Sequence, residues 1–276
     1  MSRIKYLFML LAVFVALYAC TGRFSLVRAG TPQTFASKKK NPKKAPSASK
    51  ETSKESTVPF RVGETLDYRV GWASFATAAS LRVSVPERRQ LFGWPTWHFR
   101  AALHTQSPVR SLFSIDDEFD SYADALVLDT RRYETYQNEL GRKEDHVADF
   151  LTSGQKPWGP GPDVIVLPGT TDPVGALYAL RAVDWLRTPE FHLPVYDGHD
   201  VYRMIAKLDS KSDTVSVAAG TFSTSRVGVK LSPSSRQTAD ILFQVWLAND
   251  AARTPVQFQA RLPFGSIHAE LLPTAK

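Results

Sequence analysis

The sequence predicts a mainly β fold, in which a large antiparallel meander curls into a half-barrel or barrel-like sheet with one inserted α-helix. From residue 59 onward, apolar and polar residues alternate in a series of short runs, which is the period of a strand with one buried face. Turn-forming pairs such as Asp197-Gly198 and Ala219-Gly220 separate many of these runs, so consecutive runs are expected to pair as hairpins. Only residues 172–186 carry a helical period over several turns.

The strand predictions follow the alternation along the chain. Glu64–Trp72 opens the series, and Pro86 is expected to end the second strand because proline cannot donate to a sheet ladder. So many strands with short connections are expected to curl, because curling leaves few edges exposed. The predicted strands are Glu64–Trp72, Ala79–Val85, Thr96–Gln106, Ser114–Ala123, Leu126–Glu139, Arg142–Phe150, Asp200–Leu208, Thr214–Ala218, Thr221–Val229, Ala239–Ala248, Thr254–Leu262 and Ser266–Leu271.

The inserted helix is predicted from its start signal and its apolar spacing. Asp172 is a natural N-cap, and Pro173 suits the first helical turn, where no backbone N–H is needed. The apolar stripe that is expected to pack on the sheet consists of Val174, Leu177, Tyr178 and Trp185. A shorter helical turn is expected within Ser107–Phe113.

The first 29 residues read as an export signal. Arg3 and Lys5 precede the apolar run Tyr6–Leu17, which is too short to span a membrane but suits a secretory signal. Leu17-Tyr18-Ala19-Cys20 resembles a lipobox, in which the cysteine is acylated. Cleavage after Ala29 and an uncleaved anchor are the alternatives, and the sequence leaves the choice open.

Residues 30–58 form a Lys/Ser/Pro-rich segment that is expected to be a disordered linker. Residues 1–58 hold 11 of the 34 Lys and Arg but only 2 of the 27 Asp and Glu, so the net charge of +7 comes from this part. Lys38–Lys44 fits either a solvated spacer or contact with an anionic membrane or glycan surface. No aromatic residues interleave with these lysines, and an exported chain is not expected to meet nucleic acid.

Residues 59–276 are predicted to form a single exported domain with no cofactor, metal or catalytic constellation. Cys20 is the only cysteine, so no intrachain disulfide can form. The six histidines are dispersed without a metal-ligand spacing, and no Gly-x-Ser-x-Gly motif occurs.

Aromatic residues on the predicted strands offer a ligand site. A curved sheet with an open interior can enclose a lipid or an acyl chain. The residues expected to line such a pocket are Trp72, Trp97, Tyr133, Phe243 and Trp246. The alternative is that they fill the core, since alternation cannot distinguish a filled barrel from a hollow one.

An acidic run, Asp116–Asp124, is the second candidate site. On a strand, Asp116, Glu118, Asp120 and Asp124 share one face. Paired carboxylates suit acid–base chemistry, so Asp120 or Asp124 with a nearby histidine would make a hydrolase of envelope glycans or lipids. The simpler interpretation is a hydrated face paired with Arg131, Arg132 or Arg142.

Several segments resemble the domain-of-unknown-function 3108 family of exported bacterial proteins. They include Val62–Trp72, the loop and helix Leu167–Arg181, and Trp246–Val256. The resemblance implies an exported, largely antiparallel β domain in the periplasm or at the outer membrane. Within these segments Asp172, Arg181 and Asp250 are expected to act as helix cap, ion-pair partner and turn former, and they join Asp120 and Asp124 as the first positions to mutate.

The sequence therefore predicts a non-enzymatic cell-envelope protein that binds an apolar or amphiphilic ligand in its sheet. It is expected in the periplasm and at a membrane, as an outer-membrane lipoprotein if Cys20 is acylated. The alternatives are the hydrolase above and an envelope scaffold whose helix presents a partner surface.

Overall fold

The computed structural model describes residues 58–150, 166–167, 169–234, 239–262 and 265–274. Cys20, the linker with Lys38–Lys44 and most of the segment before the helix lie outside these residues. The strands are β1 (Thr65–Trp72), β2 (Phe75–Leu91), β3 (Trp94–Thr105), β4 (Asp116–Asp124), β5 (Thr130–Glu139), β6 (Arg142–Asp149), β7 (Glu190–Tyr196), β8 (Val201–Val217), β9 (Gly220–Pro233), β10 (Ile241–Ala248), β11 (Pro255–Leu262) and β12 (Gly265–Leu271). A 3-10 turn spans Val109–Ser111, and the helix α1 spans Pro173–Ala182.

The twelve strands form one antiparallel sheet in the order β6-β5-β4-β3-β2-β1-β12-β11-β10-β9-β8-β7. The two halves of the meander join where β1 pairs with β12. The outermost strands, β6 and β7, are not paired with each other, so the sheet is curled but not closed. The predicted fold class is confirmed.

Thr170 and Thr171, just before the helix cap, contact both ends of the sheet. The carbonyl of Thr170 accepts from the backbone N–H of Thr130, the first residue of β5. The backbone of Thr171 forms a parallel bridge to Val195 of β7. The rings of Phe150 and Tyr196 also meet here, with centroids 5.5 Å apart. These contacts therefore link the two ends of the open sheet.

Helix α1 occupies the interior of the curled sheet. All of its residues except Ala182 are buried, as is typical of a helix that is apolar around its whole circumference. The ring of Tyr178 stacks on that of Phe99 in β3, with centroids 3.7 Å apart. The interior that the sequence left either hollow or filled is filled, chiefly by this helix.

Several element boundaries differ from those predicted. Pro86 does not end β2, because a register shift between Ser84 and Glu87 passes it and pairing resumes beyond. The runs predicted as Asp200–Leu208 and Thr214–Ala218 form the single strand β8, whose register shifts twice against β9. Strand β7 has no counterpart among the predictions.

The helix ends earlier than residue 186. Val183 has an extended backbone, and Arg253 donates to the carbonyls of Arg181 and Ala182, which replaces the hydrogen bonds of a further turn. Within the described ranges, no helix has the length and apolar character needed to cross a membrane.

Candidate functional site

One face of α1 meets the C-terminal half of the sheet along an interface that we call the seam. Every residue lining it is apolar, and it encloses a cavity of about 20 Å³. Alternation places these strand residues on the inner face of the sheet, where they face the helix. The lining residues are Pro173, Ala176, Leu177, Leu180, Val195, Met204, Leu231, Phe243, Val245 and Phe258.

The start of α1 is held by a buried carboxylate. Asp172 is inaccessible to solvent and caps the helix by accepting from the backbone N–H of Gly175 at 2.8 Å. Its other oxygen accepts from the hydroxyls of Ser121 and Thr130, at 2.5 and 2.6 Å. Burial raises the pKa of Asp172, although these hydrogen bonds oppose the rise. The helix start is thereby fixed to β4 and β5.

The end of α1 is held by a buried ion pair. The guanidinium of Arg181 is inaccessible to solvent and binds both oxygens of Glu64, at 2.5 and 2.9 Å. It also donates to the carbonyl of Ala252 at 3.0 Å. Burial alone would lower the pKa of Arg181, but hydrogen bonding and the charge of Glu64 outweigh it and the pKa is raised.

The loop beside this pair contains Asp250. Its carboxylate accepts from the backbone N–H of Arg253 at 2.8 Å, which forms the turn between β10 and β11. Arg253 in turn binds the last carbonyls of α1. Both ends of α1 are thus held by polar contacts, while the middle of its seam-facing side makes only apolar ones.

The five aromatic ligand candidates lie in different parts of the domain. Phe243 lines the seam. Trp97 and Tyr133 are buried in the main core, on the N-terminal half of the sheet. Trp72 is half-buried and stacks on Phe75 at the end of β1, with centroids 5.8 Å apart. Trp246 belongs to a small separate cluster and donates to Asp213 at 3.2 Å.

The acidic strand β4 directs Asp116, Glu118, Asp120 and Asp124 away from the core, and each carboxylate meets a cation. Oδ1 of Asp120 lies 2.5 Å from Nε2 of His98 and 2.8 Å from Nε of Arg100. Burial raises the pKa of Asp120, but the contacts with His98 and Arg100 outweigh it and the pKa is lowered. The remaining pairs are Asp116 with Arg110, Glu118 with Arg100, and Asp124 with Arg131.

This arrangement is poorly suited to proton donation. Arginine contacts to both oxygens of a carboxylate favour its ionised form, and the pKa of Asp120 is lowered accordingly. Asp124 similarly accepts from Arg131 and from the backbone N–H groups of Leu126 and Val127, and its pKa is lowered. In the part of the chain that the structure describes, no group of three or more His, Cys, Asp and Glu is placed to hold a metal ion.

One carboxyl of β4 that the sequence did not single out is buried. Asp117 points to the inner face, where one oxygen accepts from the backbone N–H of Asn138 at 2.9 Å. Burial raises the pKa of Asp117 to about 7. The alternation of β4 indicates that Asp117 faces inward, but the depth of its burial depends on the packing of β4 against β3 and β5.

Fold and site together define a barrel-like open β-sheet whose interior holds one helix. The chain belongs to the family described as "Protein of unknown function (DUF3108)", whose model matches residues 67–272. A search of curated proteins found no match.

Solved structures with low sequence identity are similar to this chain. One is a β-barrel-like protein of domain of unknown function DUF1849 from Brucella abortus, with a TM-score of 0.51, 11% identity, and coverage of 76% of this chain and 95% of that chain. Another is described as a "putative lipoprotein" from Parabacteroides distasonis, with a TM-score of 0.39, 10% identity, and coverage of 79% and 97%. At such identities the likeness concerns the fold alone.

Proposed function

We propose that this protein is an exported, non-enzymatic cell-envelope protein that holds the acyl chain of a lipid or lipoprotein in the seam. The observation that carries the proposal is the contrast between the two sides of α1. Its ends are fixed by Asp172 and Arg181, whereas the side that faces β7–β11 makes only apolar contacts around a small cavity.

The seam must open to admit a chain, because a cavity of about 20 Å³ has room for roughly one water molecule. Opening separates Ala176, Leu177 and Leu180 from the sheet. The hydrogen bonds of Asp172 with β4 and β5 and the pairing of Arg181 with Glu64 lie at the helix ends, outside the seam lining. A bound chain restores the lost apolar contacts, and each buried CH₂ contributes about 0.8 kcal/mol. An acyl chain therefore replaces the contacts that opening removes.

The N-terminal region fits the same role. An export signal followed by a Lys-rich spacer would place the domain beside a membrane, and acylation of Cys20 would hold it there. The periplasm and the outer membrane remain the expected location. The buried helix has no exposed apolar face to offer a partner, so the scaffold alternative lacks the surface it requires.

The test is native mass spectrometry of the chain purified from bacterial envelopes, followed by titration of the delipidated chain with a fluorescent fatty acid. Ala176→Leu fills the seam cavity, and Ala182→Leu is the matched control because Ala182 lies at the helix end and does not line the seam. We expect Ala176→Leu to weaken binding at least about tenfold and Ala182→Leu to leave it unchanged.

Thermal melting of each variant confirms that it is folded. A second variant, Phe243→Ala, enlarges the seam and is expected to bind the probe at least as tightly as the original chain. A chain that carries no lipid from the envelope and does not bind the probe would show the proposal to be wrong. Equal losses of binding in Ala176→Leu and Ala182→Leu would do the same.

A further inference from the structure

The outer face of the C-terminal half of the sheet carries an open trough of about 790 Å³, which we call the outer trough. It crosses β8, β9, β10 and β11 on the side opposite the seam. Its lining combines basic, acidic, amide and apolar side chains around Gly228. The side chains that line it include Lys207, Asp209, Lys230, Leu242, Gln244 and Arg261.

Gly228 creates the depression at the centre of the outer trough. Gly228 pairs with Lys207 of β8 and with Gln244 of β10, and it has no side chain to fill the space between them. The carboxylate of Asp209 lies over this space, since a Cβ on Gly228 would be 2.6 Å from one of its oxygens. A register shift next to Asp209 accompanies this placement.

The charges that line the outer trough fall into two groups. Lys207 is paired with Glu190 at 3.1 Å, and Lys230 is paired with Asp240 at 2.6 Å. Asp209 and Arg261 have no ion-pair partner within the described ranges, and Asp209 meets only the amide of Gln244, at 3.4 Å.

The two unpaired charges lie on different strands of the outer trough and are offset along the strand direction. The carboxylate of Asp209 on β8 lies over Gly228 of β9. Gly228, Gln244 and Gln259 lie side by side in the register. Arg261 is two residues past Gln259 on β11, so its backbone is about 12 Å from that of Gly228. The length of the arginine side chain reduces this gap, so a short ligand with opposite charges at its two ends would span it. Between them, Leu242 exposes 60% of its surface.

We propose that the outer trough binds the head group of a zwitterionic phospholipid of the phosphoethanolamine type. The ammonium group binds the carboxylate of Asp209, and the phosphate binds the guanidinium of Arg261, with Lys230 nearby. Leu242 and Ile205 contact the apolar part of the lipid. This site docks the sheet on a membrane surface, and it is separate from the acyl-chain site proposed for the seam.

The charge pattern selects this head group over simpler ones. A purely anionic head group would bind Arg261 but would be repelled by Asp209. A choline head group has the same charges, but its quaternary ammonium has no N–H to donate to Asp209. The outer trough should therefore prefer a primary ammonium together with a phosphate.

The experiment uses the full chain and short-chain phospholipids kept below their micellar concentration. Binding of dihexanoyl phosphoethanolamine, phosphocholine and phosphoglycerol is compared by isothermal titration calorimetry. We expect phosphoethanolamine to bind tightest. Asp209→Asn should weaken its binding by about tenfold, as one charge-assisted hydrogen bond implies, and leave phosphoglycerol binding unchanged or stronger. Arg261→Gln should weaken the binding of both lipids, and Arg142→Gln, at the opposite end of the sheet, should affect neither.

Three outcomes would overturn the proposal: no binding of any of the three lipids, equal binding of phosphoethanolamine and phosphoglycerol, or an Asp209→Asn variant that retains the preference. The seam proposal is tested separately, since Ala176→Leu should weaken binding of the fatty acid and leave phosphoethanolamine binding intact. Failure of one site therefore does not decide the other.

Discussion

Replacing Glu64 by Gln should destabilise the domain strongly, because it leaves a buried charge without a counter-charge. Arg181 is inaccessible to solvent and Glu64 supplies two of its hydrogen bonds. Gln retains one acceptor but no charge. The other acceptors of the guanidinium are the carbonyls of Ala252 and Pro59, at 3.0 and 3.4 Å, and both are neutral.

The size of the effect follows from the burial of the pair. Removing one partner of a buried ion pair costs about 3–5 kcal/mol, and we expect about 3 kcal/mol here because Gln still accepts one hydrogen bond. A surface pair gives the comparison. Arg69 and Glu270 are 2.8 Å apart, within the 2.5–2.9 Å of the buried pair, but their side chains expose 42% and 24% of their surface. Glu270→Gln should cost less than about 1 kcal/mol.

The assay is urea unfolding of both variants, followed by tryptophan fluorescence. Trp185 is a suitable reporter because it packs beside α1 and donates to the carbonyl of Leu180 at 3.0 Å. We expect the unfolding midpoint to fall clearly for Glu64→Gln and only slightly for Glu270→Gln, with the slope unchanged. Equal losses in the two variants, or a loss below about 1 kcal/mol for Glu64→Gln, would refute the reasoning from burial.

Three further predictions concern buried residues. Asp117→Asn should stabilise the domain by about 2–4 kcal/mol at pH 8 and little at pH 4. The pKa of Asp117 is raised to about 7, so its buried carboxyl reduces the stability of the original chain as the pH rises from about 4 to 7, and asparagine carries no such charge. Equal melting shifts at both pH values would contradict this. Gly175→Ala should lower the melting temperature although alanine favours helices, because its Cβ would lie 2.4 Å from the hydroxyl of Thr171. Asp172→Ala should cost about 2 kcal/mol or more in urea unfolding, since it removes the helix cap and the acceptor of two buried hydroxyls, and an effect below 0.5 kcal/mol would exclude this role.

The sequence predicted the meander and the helix because both follow from local periodicity. Alternation identified β1, β4 and β12 with small errors at their ends, and Asp172-Pro173 identified the start of α1. It failed at β2 and β8, where register shifts let a strand continue past Pro86 or past a polar stretch. A register shift is decided by the neighbouring strand and leaves little trace in the strand's own sequence.

The candidate sites were likewise predictable where they follow from local alternation and unpredictable where they depend on contacts between strands. The outward face of the acids on β4 follows from period two, so the sequence determined which side chains share a face. It did not determine that His98 and Arg100 would hold Asp120, since that pairing depends on the register of β3 against β4. Nor did it show that Asp209 and Arg261 would share the outer trough.

By itself, the sequence of this protein determined a mainly β domain and one capped helix, and it predicts an export signal, because each is encoded in local pattern. Only the tertiary structure decided that the helix would fill the curled sheet rather than cover it. That outcome depends on contacts between residues far apart in the chain, above all the pairing of Arg181 with Glu64. Such contacts arise from the folded geometry of the whole sheet, which local periodicity does not specify.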